Sequence, residues 1–372
     1  MKIDDRLLNG EPYWSAYMHS KGTQLGLPIA GTFEITPRCN FNCKMCYIHQ
    51  QADKPELSAD EWLDIGRQAA ACGMIFILIT GGEPLIRPDF PKIYKGLKEL
   101  GLLVSVNTNG SLITDEVFDM FVSDPPNRIN ISLYGGSDDT YMKLCGNAKY
   151  SVVTGNIRRL KEAGISMRIN ASFTPENASD IKAVYDFAKE MNLPVQSSTY
   201  MYPPIRVNAG GFGVAPNRFG AEEAAKYMLT CREQIMTPEQ LLKSIEGIGG
   251  MHEECTGSEG EPMHCRAGRT SFWAAWDGRL LPCAMFPIEG YDIRKLGFAE
   301  AWKCAREFTK TVRLPSECAA CSHNKDCCAC ASSCIAETGS FDKKPEYVCT
   351  FTKTFHELIR QKYSKEETQN ED

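Results

Sequence analysis

The first 200 residues of the chain alternate between two spacings of apolar side chains. Residues 32–36 alternate polar and apolar, the period of a strand. From Ser58 the period lengthens. Ser58 and Glu61 form a capping box, Trp62, Ile65 and Ala69 share one helical face, and Gly73 supplies the stop. Residues 75–80 are then almost continuously apolar, as in a strand covered on both sides. The same alternation predicts a helix over 89–100, with Phe90, Ile93, Tyr94 and Leu97 on one face, and a strand over 103–107. A helix capped by Thr114 and a strand over 128–133 follow, then a helix over 152–163, a strand over 166–172, a helix over 180–191 and a strand over 195–199. Six units of this kind predict an α/β fold with a parallel sheet, open or curled into a partial barrel.

The rhythm breaks at 202–219, where Pro203, Pro204, Gly210, Gly211, Gly213 and Pro216 read as loop. Residues 221–234 and 238–246 look helical, and 247–261 is a linker rich in Gly and Glu. The expected organisation is an N-terminal extension over 1–30, the α/β unit over 31–220, a helical linker over 221–264, a Cys-rich domain over 265–363 and a polar tail over 364–372. Of the 372 residues, 43% are hydrophobic and 24% charged, an ordinary globular balance. The net charge of −6 argues against DNA or another polyanion as partner. The longest apolar run, 74–79, is far too short to span a membrane, and no signal peptide is visible. Seventeen cysteines, five of them between Cys318 and Cys330, suit a reducing cytoplasm with metal as the reason to keep thiols.

Cys39, Cys43 and Cys46 carry the chemistry. This CxxxCxxC spacing supplies three thiolates to a 4Fe–4S cluster and leaves one iron open. A disulfide knot would need an oxidising compartment, and a zinc site would need a second ligand pair that does not follow. Three further segments fall after successive strands: Gly81-Gly82-Glu83-Pro84, Asn107-Thr108-Asn109-Gly110 and Ser132-Leu133-Tyr134-Gly135. Parallel sheets bind ligands beyond the carboxyl ends of their strands, so all four loops belong on one rim.

With these four loops in order, the chain from about residue 30 to 205 resembles the radical S-adenosylmethionine enzymes. The resemblance implies a partial (β/α)6 TIM-like barrel whose open iron chelates S-adenosylmethionine. Reductive cleavage would yield a 5′-deoxyadenosyl radical that abstracts hydrogen from a substrate. By resemblance Gly82 and Glu83 meet the methionine amino group, Ser132 touches the ribose or carboxylate, Thr108 and Asn109 line the same mouth, and Met201 contacts adenine. Many members place an aromatic before the third cysteine; here that residue is Met45 and the aromatic is Tyr47. A reductant such as flavodoxin or ferredoxin is implied.

Downstream lie Cys265, Cys283 five residues after Gly278, Cys318, Cys321, Cys327, Cys330, Cys334 and Cys349. Two CxxC pairs only five residues apart are short for a zinc ribbon, which would also leave Cys265, Cys283 and Cys349 unexplained. The pattern resembles the SPASM extension of the same enzymes, which holds two auxiliary Fe–S clusters. That resemblance assigns Cys318, Cys321, Cys327 and Cys349 to an outer cluster and Cys265 and Cys283 to an inner one. The usual cysteine four residues after Cys327 is Ala331 here, so Cys330, Cys334 or Cys255 completes the inner set, Cys330 being favoured.

The SPASM resemblance implies an enzyme acting on a ribosomally made peptide, by thioether or carbon–carbon crosslinking, oxidation or epimerisation. Only 38 residues precede Cys39, so any leader peptide is expected to be read by a separate protein. The alternatives are a formylglycine-forming sulfatase maturase and a dehydrogenase or epimerase of a small molecule such as an aminoglycoside. A non-catalytic electron carrier would need neither GGEP nor an open iron. Cys145 is a candidate hydrogen donor at the barrel mouth, against the simpler reading of a packed residue. Asp138, Asp139 and Glu176 are candidate bases by position.

Overall fold

The computed structural model describes residues 13–47, 55–204, 211–246, 263, 265–319, 321–323, 327 and 329–364. Helix α1 (Tyr13–Leu25) leads into strand β1 (Ala30–Glu34). Then come α2 (Ala59–Ala71), β2 (Phe76–Thr80), α3 (Phe90–Glu99), β3 (Leu103–Thr108), α4 (Asp115–Ser123), β4 (Arg128–Ser132), α5 (Asp138–Cys145), α6 (Tyr150–Glu162), β5 (Met167–Ser172), α7 (Ile181–Glu190) and β6 (Val195–Ser198). Strands β1 to β6 run parallel in sequence order, each beside the next, with helices outside. This is the α/β partial barrel expected from the sequence. The chain continues through α8 (Ala221–Glu233), α9 (Pro238–Ser244), β7 (Ser271–Ala274), β8 (Arg279–Leu281), β9 (Tyr291–Asp292), α10 (Ile293–Leu296), α11 (Phe298–Thr311), α12 (Ser316–Ala319), α13 (Ala331–Thr338) and α14 (Glu346–Tyr363).

Local signals explain most boundaries. Ser58 Oγ accepts from Glu61 N while Glu61 accepts from Ser58 N, closing the capping box of α2. Helix α5 lies between the predicted strand over 128–133 and the predicted helix over 152–163, where the sequence pattern predicts no element. Its signals are modest: Ser137 caps Thr140 N at 3.1 Å, and Gly146 ends the helix in the left-handed region at φ 69°. At eight residues, its apolar spacing is too short to stand out.

Sheet register sorts the side chains of β4 and β5. Ile129, Ile131, Met167 and Ile169 are buried against the outer helices. Alternation then turns Arg128, Asn130 and Ser132, with Arg168, Asn170 and Ser172, to the concave face. A closed barrel fills that face with large aliphatic side chains. Here it is polar, as a face that receives a ligand should be.

Beyond the six parallel strands, β7 pairs parallel with the other edge of β1, and β8 and β9 extend the sheet antiparallel. Phe272 of β7 is 3% exposed and packs on Phe33, Phe298 and Trp302. Gly31 on β1 has no room for a side chain, since a Cβ there would lie 2.5 Å from the Phe272 ring. Helix α14 returns along α8, where Leu229, Leu241, Ile245, Ile359 and Tyr363 form a separate apolar cluster. Among the described residues no helix is long and apolar enough to cross a membrane. Because Phe272 joins the C-terminal strands to the barrel core, Phe272→Ala is expected to cost about 3–5 kcal/mol in urea denaturation. A loss below about 1 kcal/mol would mean that β7 is not part of that core.

Candidate active site

Residues 39–46 form the loop after β1, and three neighbouring loops hold it. Gly82 N donates to Thr36 O at 2.7 Å, and Glu83 N donates to Arg38 O at 2.8 Å. Both glycines are demanded by this contact. A Cβ on Gly81 would sit 2.6 Å from Thr36 O, and one on Gly82 only 2.3 Å from Arg38 O. The bare Gly81-Gly82 turn therefore lies against the backbone that leads into the cysteine loop.

Glu83 is completely buried. Its Oε1 accepts from Thr108 Oγ1 at 2.8 Å and from Leu85 N at 3.1 Å, and its Oε2 accepts from Asn109 N at 2.7 Å. Three of roughly four acceptor positions on the carboxylate are thus used inside the protein. Burial pushes its pKa up to about 7, against the opposing pull of these donors. A carboxylate held this dry gains strongly from a nearby cation.

Asn109 carries the link onward. Its Nδ2 donates to Asn40 Oδ1 at 2.8 Å and points toward Cys39 Sγ at 3.9 Å, while Ser111 occupies its Oδ1. Asn40 in turn donates to Ser111 Oγ, and Asn147 Nδ2 donates to Asn40 O. Phe41 N donates to Cys39 Sγ at 3.3 Å. On the far side, Asn42 N donates to Cys145 O at 2.9 Å and Lys44 N to Leu144 O at 3.0 Å, so the last carbonyls of α5 form two further rungs.

Arg87 closes the back of the site. It donates to Ile35 O and Leu57 O and pairs with Asp89. Thr36 and Arg38 both donate to Glu56. Arg87, Glu56, Asn40 and Asn147 escaped the sequence reading, because isolated polar residues in loops carry no periodic signal. The nearest hint was the charge pair two residues apart at Arg87 and Asp89.

Cys39, Cys43 and Cys46 are partly accessible and interact electrostatically. Burial, with the nearby Glu83 charge and the other two thiols, pushes the Cys39 thiol up to about 12. Cys43 is raised by a hydrogen bond with Cys145 and by burial. Among the described residues no three His, Cys, Asp or Glu side chains converge as a single bound ion requires. The donor set suits a multi-iron cage, whose thiolates sit on different irons. Cys145 itself is fully buried at the end of α5 with its thiol against Cys43. It lies under the cysteine loop, enclosed by the end of α5.

The other sequence candidates are dispersed around this rim. Thr108 and Asn109 are buried at the end of β3, half-buried Ser132 ends β4, and Met201 is buried just past β6. Asp138 accepts from Ser151 on the surface, and Glu176 pairs with Lys44.

A second group of thiols gathers around Tyr202, whose hydroxyl lies 3.7 Å from Cys330 Sγ and close enough to Cys283 to feel its charge. Cys265 and Cys283 pack against the same apolar cluster as Tyr202, and Cys283 Sγ meets Ser332 Oγ at 3.1 Å. Cys318, Cys321, Cys327 and Cys349 interact with one another in a third group. Cys334 is 1% exposed, and burial followed by the charges of Cys330, Cys318, Cys327 and Cys349 raises its thiol. Cys255 lies outside the described residues. The barrel is tied to this region through Arg218, which pairs with Glu337, stacks 4.0 Å over Tyr347 and shares Glu337 with the Tyr200 hydroxyl.

Residues 33–188 match the Radical SAM superfamily. That stretch spans most of the barrel, so the barrel carries a radical SAM domain, and the protein is an enzyme. Its relatives include the AdoMet-dependent heme synthase of Methanosarcina barkeri, 26% identical over 332 residues, with 85% of this chain and 94% of the relative covered. The protein of that name from Nitratidesulfovibrio vulgaris is 23% identical over 326 residues, covering 82% and 88%. Among solved structures, Streptococcus suis SuiB bound to precursor peptide SuiA has a TM-score of 0.68 at 18% identity, covering 90% of this chain and 80% of that one. The anSMEcpe structure with bound AdoMet and Cp18Cys peptide scores 0.69 at 16% identity, covering 90% and 98%. These two structures share the fold.

The Glu83 contacts generate a test. Glu83→Gln puts an amide NH2 against backbone or hydroxyl donors and leaves one of them unpaired. The expected cost is about 1–3 kcal/mol of stability. Formation of 5′-deoxyadenosine from S-adenosylmethionine should also fall by at least tenfold. An unchanged denaturation midpoint would show that the carboxylate does not hold the loops.

Proposed function

We propose that the protein uses reductive cleavage of S-adenosylmethionine to take a hydrogen atom from a ribosomally made peptide, leading to a thioether or carbon–carbon crosslink, an oxidation or an epimerisation. The radical chemistry rests above all on one observation: Glu83 and Asn109 fasten the loop of Cys39, Cys43 and Cys46 to the loops after β2 and β3. The cluster, when bound, supplies the electron that cleaves S-adenosylmethionine. The chain's own part is to orient and to exclude water. In this reading Gly82 and Glu83 receive the methionine ammonium, which would bring the ionisation of Glu83 back toward the ordinary carboxylate range. Thr108 and Asn109 hold the loop edge, and Ser132 and Met201 flank the nucleoside. The peptide substrate is supported by peptides bound to SuiB and to anSMEcpe on the same fold. Flavodoxin or ferredoxin is the proposed electron source.

We assign Cys318, Cys321, Cys327 and Cys349 to an outer auxiliary cluster, and Cys265, Cys283 and Cys330 to an inner one. The proximity of Cys283 and Cys330 to Tyr202 supports the inner set.

A heme-forming reaction is the second reading. It is favoured by relatives named AdoMet-dependent heme synthase that match along 82–86% of this chain.

Anaerobic reconstitution separates these ideas. Three clusters correspond to about 12 Fe per chain, one auxiliary cluster to about 8 and none to about 4. With dithionite, the wild type should release 5′-deoxyadenosine and Cys39→Ala none. Intact S-adenosylmethionine with a full cluster would sink the radical reading. Mass spectrometry of a co-expressed candidate peptide should show a loss of about 2 Da for a crosslink and no change for epimerisation. An unmodified peptide together with turnover of a porphyrin precursor would favour the second reading.

A further inference from the structure

The concave face of the barrel holds two arginines that the site described above does not use. Arg128 opens β4, and Arg168 is the second residue of β5, paired in register with Asn130. Their sheet neighbours Ile129, Ile131, Met167 and Ile169 are committed to the outer core, so both guanidinium groups belong to the inner face. The two are close enough for Arg128 to act on Arg168. Burial first, and this repulsion second, lower the Arg168 pKa to about 10.

Neither guanidinium donates a hydrogen bond or forms an ion pair with any described residue, and the Nε of each is enclosed with no acceptor. The contrast with the protein's other enclosed arginines is direct. Arg87 is satisfied by two carbonyls and Asp89, and Arg218 by Glu337. On the same inner face, Asn130 is 3% exposed, and Asn130 Oδ1 and Asn170 Oδ1 are enclosed without donors.

Two like charges on adjacent strands, half withdrawn from water and unpaired, raise the energy of the empty protein. An arriving anion would remove that penalty, and a planar carboxylate suits the fork of a guanidinium. The two amide oxygens would accept N–H or O–H donors beside it. The location also fits. Arg128 and Ser132 are four residues apart on β4, a rise of roughly 13 Å. A molecule anchored by its carboxylate at the arginines therefore extends toward the rim that carries the cysteine loop.

We propose that Arg128 and Arg168 form the substrate anchor of the barrel and bind a carboxylate of the substrate. This rests on the reading of the rim as the place of hydrogen abstraction. The carboxylate has two possible sources, an acidic peptide side chain or a carboxylated porphyrin precursor, and both are probed.

The experiment is equilibrium titration of the anaerobically reconstituted holoprotein by calorimetry. One arm uses a glutamate-containing peptide and the same peptide with glutamine. The other uses a porphyrin tetracarboxylate and its methyl ester. In at least one arm the acid should bind tenfold or more tightly than its neutral counterpart, and that arm identifies the source. Arg128→Gln and Arg168→Gln should each remove this preference while leaving the neutral probe's affinity unchanged. Without ligand, at low salt, either substitution should leave the thermal midpoint unchanged or raise it, because a repulsion is lost.

The proposal is overturned if neither arm shows an acid preference, or if the substitutions weaken acid and neutral probes alike. It is equally overturned if either substitution lowers the ligand-free midpoint by several degrees, which would mark the arginines as structural. Substrate-free 5′-deoxyadenosine release by the wild type is measured in parallel. Its absence would overturn the radical reading and leave the carboxylate titrations to stand on their own.

Discussion

The loops after β2 and β3 are joined, beside the cysteine loop, by one buried carboxylate. Glu83 accepts from Leu85, Thr108 and Asn109, and so joins the loop after β2 to the loop after β3. Asn109 passes the connection to Asn40, and the Gly81-Gly82 turn meets Thr36 and Arg38 from below. The cysteine loop thus inherits its position from residues that are not cysteines. A carboxylate suits this task because it accepts in several directions while fully enclosed. The same enclosure penalises its charge, so the staple that orders the rim also makes it receptive to a cation.

The C-terminal region is bound to the barrel in two physically different ways. Near β1 the attachment is a continuous sheet, sealed by Phe272 against Gly31. Near β6 it is polar and aromatic, through Tyr200, Arg218, Glu337 and Tyr347. Arg218 and Glu337 are both largely buried, and removing either partner would strand the other charge. The thiols around Tyr202 are therefore held in register with the barrel and do not ride on a loose appendage.

Much of this architecture was legible in the sequence, for identifiable reasons. Strands β2 to β5 show apolar runs or alternation, and α2 and α3 have wide apolar faces with clear caps or stops. The four rim loops were found because each follows a strand. Helix α5 was missed because eight residues give too few turns to establish a period. The union of β7 with β1 was hidden because parallel pairing across some 240 residues leaves no local trace. For Glu83, the family resemblance implied contact with the ligand, whereas the structure shows a carboxylate engaged by Leu85, Thr108 and Asn109. Only a three-dimensional register could bring Arg128 and Arg168, 40 residues apart, onto the same face.

One consequence follows from how α5 meets the cysteine loop. The carbonyls of Leu144 and Cys145 that receive Lys44 and Asn42 are the acceptor end of a helix, where the backbone dipoles leave partial negative charge. Cysteine sites tuned for nucleophilic attack sit at the opposite, positive end of a helix. Here the helix supplies shape and withholds activation. Its end would repel thiolates, so a cluster held by Cys39, Cys43 and Cys46 would have to supply the positive charge that the backbone here does not.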